Sequence, residues 1–396
     1  MKLWVYVIRR ILLLIPVIIG VMTVTFAIVS ALPVNDKLVS YLGPNKLGYN
    51  PQIPCSEVGI NKPGLCPNPA YTEGYDALGL NQPLYTQWFI YVYHSLTLNW
   101  GTTDSHSYAA DQFSLGGAVP VTQVLGWYLP YTLELAALSL FLILILAIPI
   151  GNYSAVYRNR PLDQGARVLS FSGFAMPGFL LGTLLLFAFT ALSGGTNVTF
   201  CNSQATAFSQ WYGSWPAAQC FPGGVYPPWL TTHLSTTPTG FPTIDAAIHG
   251  NYFLALDTLR RIILPAIVIA YGSVAGILRF VRNSMLEVMN LDFVRTARAK
   301  GVPESTVVNR HAGRNSLNVT VTVLGLTFAG FIGGFPIIES VFGLRGIGLL
   351  LAYSIQPQFD YGLIFGTTLL FTIIVVIANI IVDILYAYLD PRVRLG

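Results

Sequence analysis

The sequence predicts an all-α integral membrane protein with six transmembrane helices. Hydrophobic residues make up 53% of the 396-residue chain and charged residues only 10%, and the mean hydropathy is +0.59. Soluble domains carry about 25% charged residues. In addition, the apolar residues are gathered in six long runs that contain no charge. Together these observations exclude a soluble globular class.

The six charge-free runs define the predicted spans, at 11–32, 135–157, 168–192, 262–278, 317–338 and 361–382. A bilayer core about 30 Å thick requires roughly 20 apolar residues, and five runs meet that length. The fourth is short, and Pro265 near its start favours a kink. The first is too long for the apolar region of a cleaved signal peptide, about 7–15 residues. We therefore expect it to remain as a span.

Basic residues predict the orientation of the spans. Fifteen of the 21 Lys and Arg residues lie in the N-terminus, the 158–167 loop, the 279–316 loop and the C-terminus, and six lie in the longer loops of the other side. Loops rich in Lys and Arg stay in the cytoplasm. The sequence therefore predicts a multi-pass plasma-membrane protein with both termini in the cytoplasm.

The cysteines agree with this orientation. Cys55, Cys66, Cys201 and Cys220 all fall in loops predicted to be external, where thiols are oxidised. Local pairing, Cys55 with Cys66 and Cys201 with Cys220, is the favoured prediction, although four cysteines allow three connectivities. A zinc site built from all four is the alternative, but their spacings are not C-x2-C.

A basic segment lies between the fourth and fifth runs, on the predicted cytoplasmic side. Asn290 is an acceptable N-cap, and a short helix is predicted over 291–300. Gly301 follows at the position where a left-handed residue ends many helices. Pro303 is then suited to the first position of a second helix.

The short helix has the composition of a docking element. It carries small residues at Ala297 and Ala299, and its apolar residues Leu291, Phe293 and Val294 are suited to filling a groove on a partner. A helix this short buries little surface by itself. The alternative is a juxtamembrane loop that contacts anionic lipid head groups, and composition alone does not separate the two.

The stretch LDFVRTARAKGVPESTVVNRHAGRNSL resembles the coupling-helix loop of ATP-binding-cassette importer permeases, in the dipeptide/oligopeptide branch. The broad family pattern is an acid, two small residues, three residues of any kind and Gly. Ala297 and Gly301 fit this spacing, whereas Arg295 and Thr296 replace the acid and the first small residue. The stretches IRRILLLIPVIIGVMTVTFAI, YLPYTLELAALSL, PIIESVFGLRGIGLLLAYSIQPQFDY and VDILYAYLDPRVR are also similar to this family.

The resemblance implies the type I importer permease architecture, here with two extracytoplasmic insertions. In this architecture spans alternate with loops, and each insertion carries one cysteine pair. The resemblance implies these segments: the N-terminus and first span (1–32), the insertion with Cys55 and Cys66 (33–127), spans two and three (128–193), the insertion with Cys201 and Cys220 (194–258), span four (259–282), the coupling loop (283–316), and spans five and six with a short tail (317–396).

The resemblance implies a permease subunit that forms half of the path of an ATP-driven importer for di- or oligopeptides. The coupling residues would be Leu291, Phe293, Arg295, Ala297, Arg298 and Gly301. The implied partners are a second homologous permease, two ATPase subunits, an extracytoplasmic substrate-binding protein and the lipid membrane, without nucleic acid. No cofactor is expected on this chain, which has no G-x-x-x-x-G-K-[ST] sequence. ATP and magnesium belong to the ATPase partners. Oligosaccharides or nickel are alternative cargoes.

Few charged residues lie near predicted membrane depth. Glu339, at the outer end of span five, is the predicted gate or path-lining residue, because an ionisable group at such a depth often marks a transport path. An interfacial carboxylate paired with Arg345 is the alternative. Glu134 and Asp383 are further candidates. An intramembrane enzyme would need a catalytic pair within the spans, and only Asp383 comes close to being a span aspartate.

Overall fold

The computed structural model describes residues 3–31, 33–34, 38, 50–55, 64–77, 79–103, 107–113, 115, 119–192, 239–248, 252–356 and 360–389. Almost all of the described elements are helices. In chain order they are α1 (Leu3–Ser30), α2 (Pro69–Ala77), α3 (Leu84–Leu96), α4 (Tyr108–Phe113), α5 (Val121–Val156), α6 (Pro161–Ala175), α7 (Gly178–Leu192), α8 (Pro242–Ile248), α9 (Tyr252–Met289), α10 (Asp292–Ala299), α11 (Glu304–Thr306), a π-helix (Val307–Ala312), α12 (Gly313–Phe342), α13 (Ile347–Ser354) and α14 (Tyr361–Leu389).

A two-stranded antiparallel ladder is an addition to the predicted all-α fold. Strand β1 (Gln52–Pro54) pairs with β2 (Leu65–Pro67), with Ile53 opposite Cys66. A disulfide joins Cys55 to Cys66 beside this ladder, which confirms the first predicted pair. Cys201 and Cys220 lie outside the described residues. The two strands are only three residues long, too short for the sequence pattern to reveal.

Among the described residues, three helices are long and apolar enough to cross a membrane: Val121–Val156, Ile262–Met289 and Tyr361–Val382. They correspond to the second, fourth and sixth predicted runs. Up to five spans result if each of two bent helix pairs is one span, namely Pro161–Gly173 with Gly178–Ala188 and Pro336–Phe342 with Ile347–Ser354. A shorter apolar helix, Ile15–Ile28, lies within the first run. The total of six spans and the segment boundaries stay predictions.

The third predicted span is broken, contrary to the continuous run 168–192. Helix α6 ends at Ala175, and α7 begins at Gly178. Met176 between them is extended, with φ −99° and ψ 115°, because a residue that precedes proline is sterically excluded from helical conformation. The carbonyl of Pro177 then accepts a bond from the N–H of Leu181 at 3.1 Å, which begins the next helix.

The fourth span is longer than predicted. The charge-free run ends at 278, but α9 continues as a helix to Met289, with Pro265 inside it. Arg282 lies in this extension and is bonded to a buried carboxylate. Pairing lowers the free-energy cost of placing an arginine in apolar surroundings. The helix can therefore continue past this charge.

The chain forms two compact units. One comprises residues 10–129 and 347–376. Within it, α1 contacts α3 through a 3.1 Å hydrogen bond from the indole of Trp88 to Thr23. The N-terminus of α14 is capped by Asp360, whose carboxylate accepts the N–H of Leu363 at 3.0 Å and the hydroxyl of Ser107 at 3.1 Å. These bonds order the segments that flank the predicted outer ends of the spans.

The other unit comprises residues 1–9, 130–346 and 377–396 and contains the candidate site. Its centre is α9, which packs against α6 and α12. The hydroxyl of Tyr271 on α9 donates to Ser172 on α6 at 2.6 Å. On the other side, Ser284 donates to the carbonyl of Ser316, at the start of α12, at 3.2 Å. Hydrogen bonds therefore hold α9 to both α6 and α12.

Gly325 allows α12 to approach α14 closely. A Cβ atom at this position would overlap the side chain of Val382. Small residues at such contacts let helix backbones pack together in a membrane.

We expect Gly325→Ala to lower the free energy of unfolding by about 1–3 kcal/mol, the usual cost of an overpacked contact. The measurement is unfolding of the purified protein in mixed micelles with increasing SDS. Val382→Ala removes the atoms that the new methyl group would meet, so the double variant should regain part of the loss. Equal losses in the single and double variants would contradict this packing.

Candidate functional site

The short helix predicted at 291–300 is present as α10, Asp292–Ala299. Its N-cap is Leu291, with φ −73° and ψ 151°, and not Asn290 as predicted. The carbonyl of Leu291 accepts the first bonds of the helix, from the N–H groups of Val294 and Arg295. The amide of Asn290 instead donates to the carbonyl of Leu286 at 3.0 Å and so belongs to the end of α9.

The end of α10 follows the prediction. Gly301 has φ +75°, a conformation that costs glycine little and other residues more. Its N–H bonds to the carbonyl of Arg298 at 2.9 Å, and the N–H of Val302 bonds to the carbonyl of Ala297 at 3.2 Å. This pair of bonds is the Schellman motif, and it turns the chain sharply after α10.

The helix that follows begins one residue later than predicted. Pro303 is its N-cap, with φ −54° and ψ 137°, and Glu304 is its first residue. The carbonyl of Pro303 accepts the N–H groups of Thr306 and Val307. Proline suits this position because it has no N–H that would need a partner.

One face of α10 is anchored in the protein's own core. Val294 is fully buried, and Ala297, one turn later, is half-buried against the same cluster. The buried members of the cluster come from α5, α9, α10 and the π-helix: Ala155, Met285, Val288, Val294, Val307 and Ala312. Val294 is therefore not available to a partner, contrary to the prediction, because it fixes α10 to the ends of the long helices.

Two apolar side chains at the start of α10 are exposed to solvent. Leu291 is 46% exposed and Phe293 39%. Arg295 is 70% exposed and pairs with Asp292 at 3.6 Å. Exposed aromatic and arginine side chains are enriched in binding hot spots.

Arg298 spans the turn after α10 instead of pointing freely outward. Its guanidinium donates to both carboxylate oxygens of Glu304, at 2.7 and 3.1 Å. These hydrogen bonds lower the pKa of the Glu304 carboxyl below its ordinary 4.5 and raise the pKa of the Arg298 guanidinium. The pair ties α10 to α11 and so stiffens the connection between the site and α12.

The Arg298–Glu304 pair should make a small, pH-dependent contribution to the free energy of unfolding. We expect Glu304→Gln to lower the free energy of unfolding by about 0.2–1 kcal/mol at neutral pH, since both side chains are partly exposed. Because the folded pKa of Glu304 is the lower one, the contribution is complete above 4.5 and is lost as the pH falls through the folded value. SDS unfolding of both proteins over a pH series measures the difference, and a difference that grows towards acid pH would contradict it.

A buried carboxylate, which the sequence analysis did not identify, holds the ends of three helices together. Asp163 near the start of α6 has a fully buried side chain. It accepts hydrogen bonds from Arg282 of α9 at 2.7 Å, Arg167 at 2.6 Å, Ser154 of α5 at 2.6 Å and the N–H of Asn159 at 3.0 Å. The cluster therefore fixes α9, which leads into α10, against α5 and α6.

Glu339 near the end of α12 is only 1% exposed. Its Oε1 atom accepts the hydroxyl of Thr132 on α5 at 2.8 Å. A Cβ atom at Gly346 would overlap the Glu339 carboxylate, so that glycine lets the following turn close over it. The role of Glu339 in a transport path stays a prediction. Glu134 is half-buried on α5, and the side chain of Asp383 lies outside the described part of the structure.

The long apolar helices and the anchored surface helix define a multi-pass α-helical membrane protein. The chain belongs to the family of binding-protein-dependent transport system inner membrane components, whose family model matches residues 147–395. This confirms the resemblance to ATP-binding-cassette importer permeases. The matched residues include α10, the Asp163 cluster and Glu339.

Curated relatives cover nearly the whole chain. The oligopeptide transport system permease protein AppB of Bacillus subtilis (strain 168) is 30% identical over 98% of this chain and 99% of its own length. The probable D,D-dipeptide transport system permease protein DdpB of Escherichia coli (strain K12) is 34% identical over 81% of this chain and 83% of its own. The dipeptide transport system permease protein DppB of the same strain is 29% identical over 98% of each.

Proposed function

We propose that this chain is a permease subunit of an ATP-driven importer of di- or oligopeptides and forms half of the translocation path. The main supporting observation is that α10 combines a buried anchor with exposed apolar side chains. Val294 fixes it to the protein's core, while Leu291 and Phe293 are exposed. The printed names of the curated relatives support a peptide cargo.

Movement of α10 is transmitted to the membrane helices through defined contacts. Val294 packs with Met285 and Val288 of α9 and with Val307 of the π-helix. Arg298 adds its bonds to Glu304 across the turn. A force applied by a partner to the exposed side of α10 therefore reaches both α9 and α12 without an intervening flexible loop. This arrangement supports a lever function for α10.

The six predicted coupling residues divide into two groups in this proposal. Leu291, Phe293 and Arg295 form the docking face that meets an ATPase subunit. Ala297, Arg298 and Gly301 shape and stiffen the element, since Ala297 allows close packing, Arg298 binds Glu304 and Gly301 makes the turn. The small size of Ala297 thus serves contact within the chain.

The remaining subunits of the proposed assembly supply what this chain does not. Two ATPase subunits bind ATP with magnesium and hydrolyse it, a second homologous permease completes the path, and an extracytoplasmic protein delivers the cargo. The chain itself is a non-catalytic transport subunit. The family description, which names a binding-protein-dependent system, supports this division.

Both termini face the cytoplasm in the proposed topology, and residues 33–127 and 194–258 face outward. The Cys55–Cys66 disulfide supports this orientation, because such bonds persist in oxidising compartments. Glu339 lies near the outer end of α12 in this orientation, as a gate residue held by Thr132.

Transport by the reconstituted complex tests the proposal. The chain, its co-purifying subunits and the binding protein are placed in liposomes with internal ATP, and uptake of labelled di- and tripeptides is followed. We expect ATP-dependent peptide uptake that excess unlabelled peptide abolishes and that oligosaccharide or nickel does not. Absence of peptide uptake, together with ATP-dependent uptake of labelled oligosaccharide or nickel by the same liposomes, would overturn the peptide assignment.

A further inference from the structure

We propose that the arginine-lined cavity between α6 and α9 is a binding site for the head group of an anionic phospholipid. The cavity has a volume of about 330 Å³, and its lining includes Arg158, Arg167, Arg279, Arg282, Phe171 and Leu278. This inference goes beyond the proposed transport function and does not depend on which cargo is carried.

The cavity carries an excess of positive charge. Among its arginines, Arg167 and Arg282 share the single buried carboxylate of Asp163. Arg158 and Arg279 are exposed and form no ion pair with the described residues. Four guanidinium groups therefore face one carboxylate, and the surplus is suited to a phosphate, which guanidinium groups bind through paired hydrogen bonds.

The cavity lies at the depth of a lipid head group. The charge-free run 168–192 begins immediately after Arg167, and the run 262–278 ends immediately before Arg279. The arginines thus stand where two apolar stretches end on the same side of the membrane. Basic pockets between membrane helices at this level bind anionic head groups.

Apolar side chains beside the cavity face outward and suit acyl chains. Phe171, in its wall, is 71% exposed, Val168 next to it on α6 is 67% exposed, and Phe280 on α9 is 50% exposed. A soluble phosphate compound would contact the arginines alone, whereas a phospholipid would contact both the arginines and this apolar surface. Charge and apolar surface together favour a phospholipid over a free anion.

Lipid competition on the intact assembly tests the proposal. The full chain, purified with its partner subunits and delipidated, is mixed with equal amounts of phosphatidylglycerol and phosphatidylcholine, and bound lipid is counted by native mass spectrometry. We expect selective retention of phosphatidylglycerol. The double variant Arg158→Gln/Arg279→Gln should weaken this binding by about thirtyfold, since each basic side chain near the surface contributes to the attraction.

A matched control separates a defined site from general attraction. Arg310 and Arg314 are exposed, lie outside the cavity, and give the same charge change in Arg310→Gln/Arg314→Gln. This control should retain selective binding. Equal loss in both double variants, equal retention of the two lipids by the unaltered protein, or displacement of phosphatidylglycerol by millimolar inorganic phosphate or ATP would each overturn the proposal. If the cavity variant does not fold, the competition between the two lipids on the unaltered protein still tests the proposal.

Discussion

Asp163→Ala is expected to destabilise the protein by about 3–5 kcal/mol, because it leaves a partly buried guanidinium without its partner. Asp163 is fully buried, and Arg282 is only 14% exposed. The substitution also removes the acceptor for Ser154 and for the N–H of Asn159. The expected readouts are a much lower midpoint of SDS unfolding and reduced accumulation in the membrane.

Two further variants separate charge from shape. Asp163→Asn keeps the size and one hydrogen-bond acceptor, so its loss should be smaller than that of Asp163→Ala. Arg282→Met removes the guanidinium itself, and removing both members of a buried pair costs less than removing one. The double variant Asp163→Ala/Arg282→Met should therefore be more stable than the sum of the single losses predicts, by about 0.5–3 kcal/mol. Strictly additive losses would show that the two side chains do not form an energetic pair.

Phe293→Ser is expected to weaken the association of the ATPase subunits by about thirtyfold or more, since hot-spot truncations cost at least about 2 kcal/mol. Phe293 is exposed on α10, and its removal leaves the core cluster unchanged. Leu291→Ser should have a smaller effect in the same direction. Binding of purified ATPase subunits to the immobilised permease, together with peptide-stimulated ATP hydrolysis, measures the loss.

Val294→Ala provides the contrasting control. Val294 is buried in the core cluster, so its truncation should lower the free energy of unfolding while the folded protein still presents the docking face. Phe293→Ser should do the reverse, with little change in unfolding. If Phe293→Ser left ATPase binding and stimulated hydrolysis intact, α10 would not be the contact element.

The sequence predicted the elements that depend on local pattern. Charge-free runs located three of the long apolar helices, and the Gly301 turn followed from the preference for glycine after a helix. The break at Met176 and Pro177 was also locally encoded, since a residue before proline disfavours helix. A continuous span was nevertheless predicted there, because the spans were located by the absence of charge and the run 168–192 contains none.

The remaining features depend on contacts between residues far apart in the chain. Asp163 and Arg282 are separated by 119 residues, so neither the buried pair nor the extension of α9 beyond 278 is visible in a local window. The inward orientation of Val294 is likewise set by helices on either side of it. Composition allowed α10 to be either a docking element or a lipid-contacting loop, and it did not show that Val294 packs into the protein's own core.

The π-helix at Val307–Ala312 sets the angle at which α10 is presented. Here the N–H of Gly313 bonds to the carbonyl of Val308, five residues earlier, instead of the four of an α-helix. Such a turn accommodates one extra residue, and one residue of α-helix corresponds to a rotation of about 100° and a rise of about 1.5 Å. Deleting a single residue from this segment would therefore rotate Leu291 and Phe293 about the axis of α12 without changing any residue of α10.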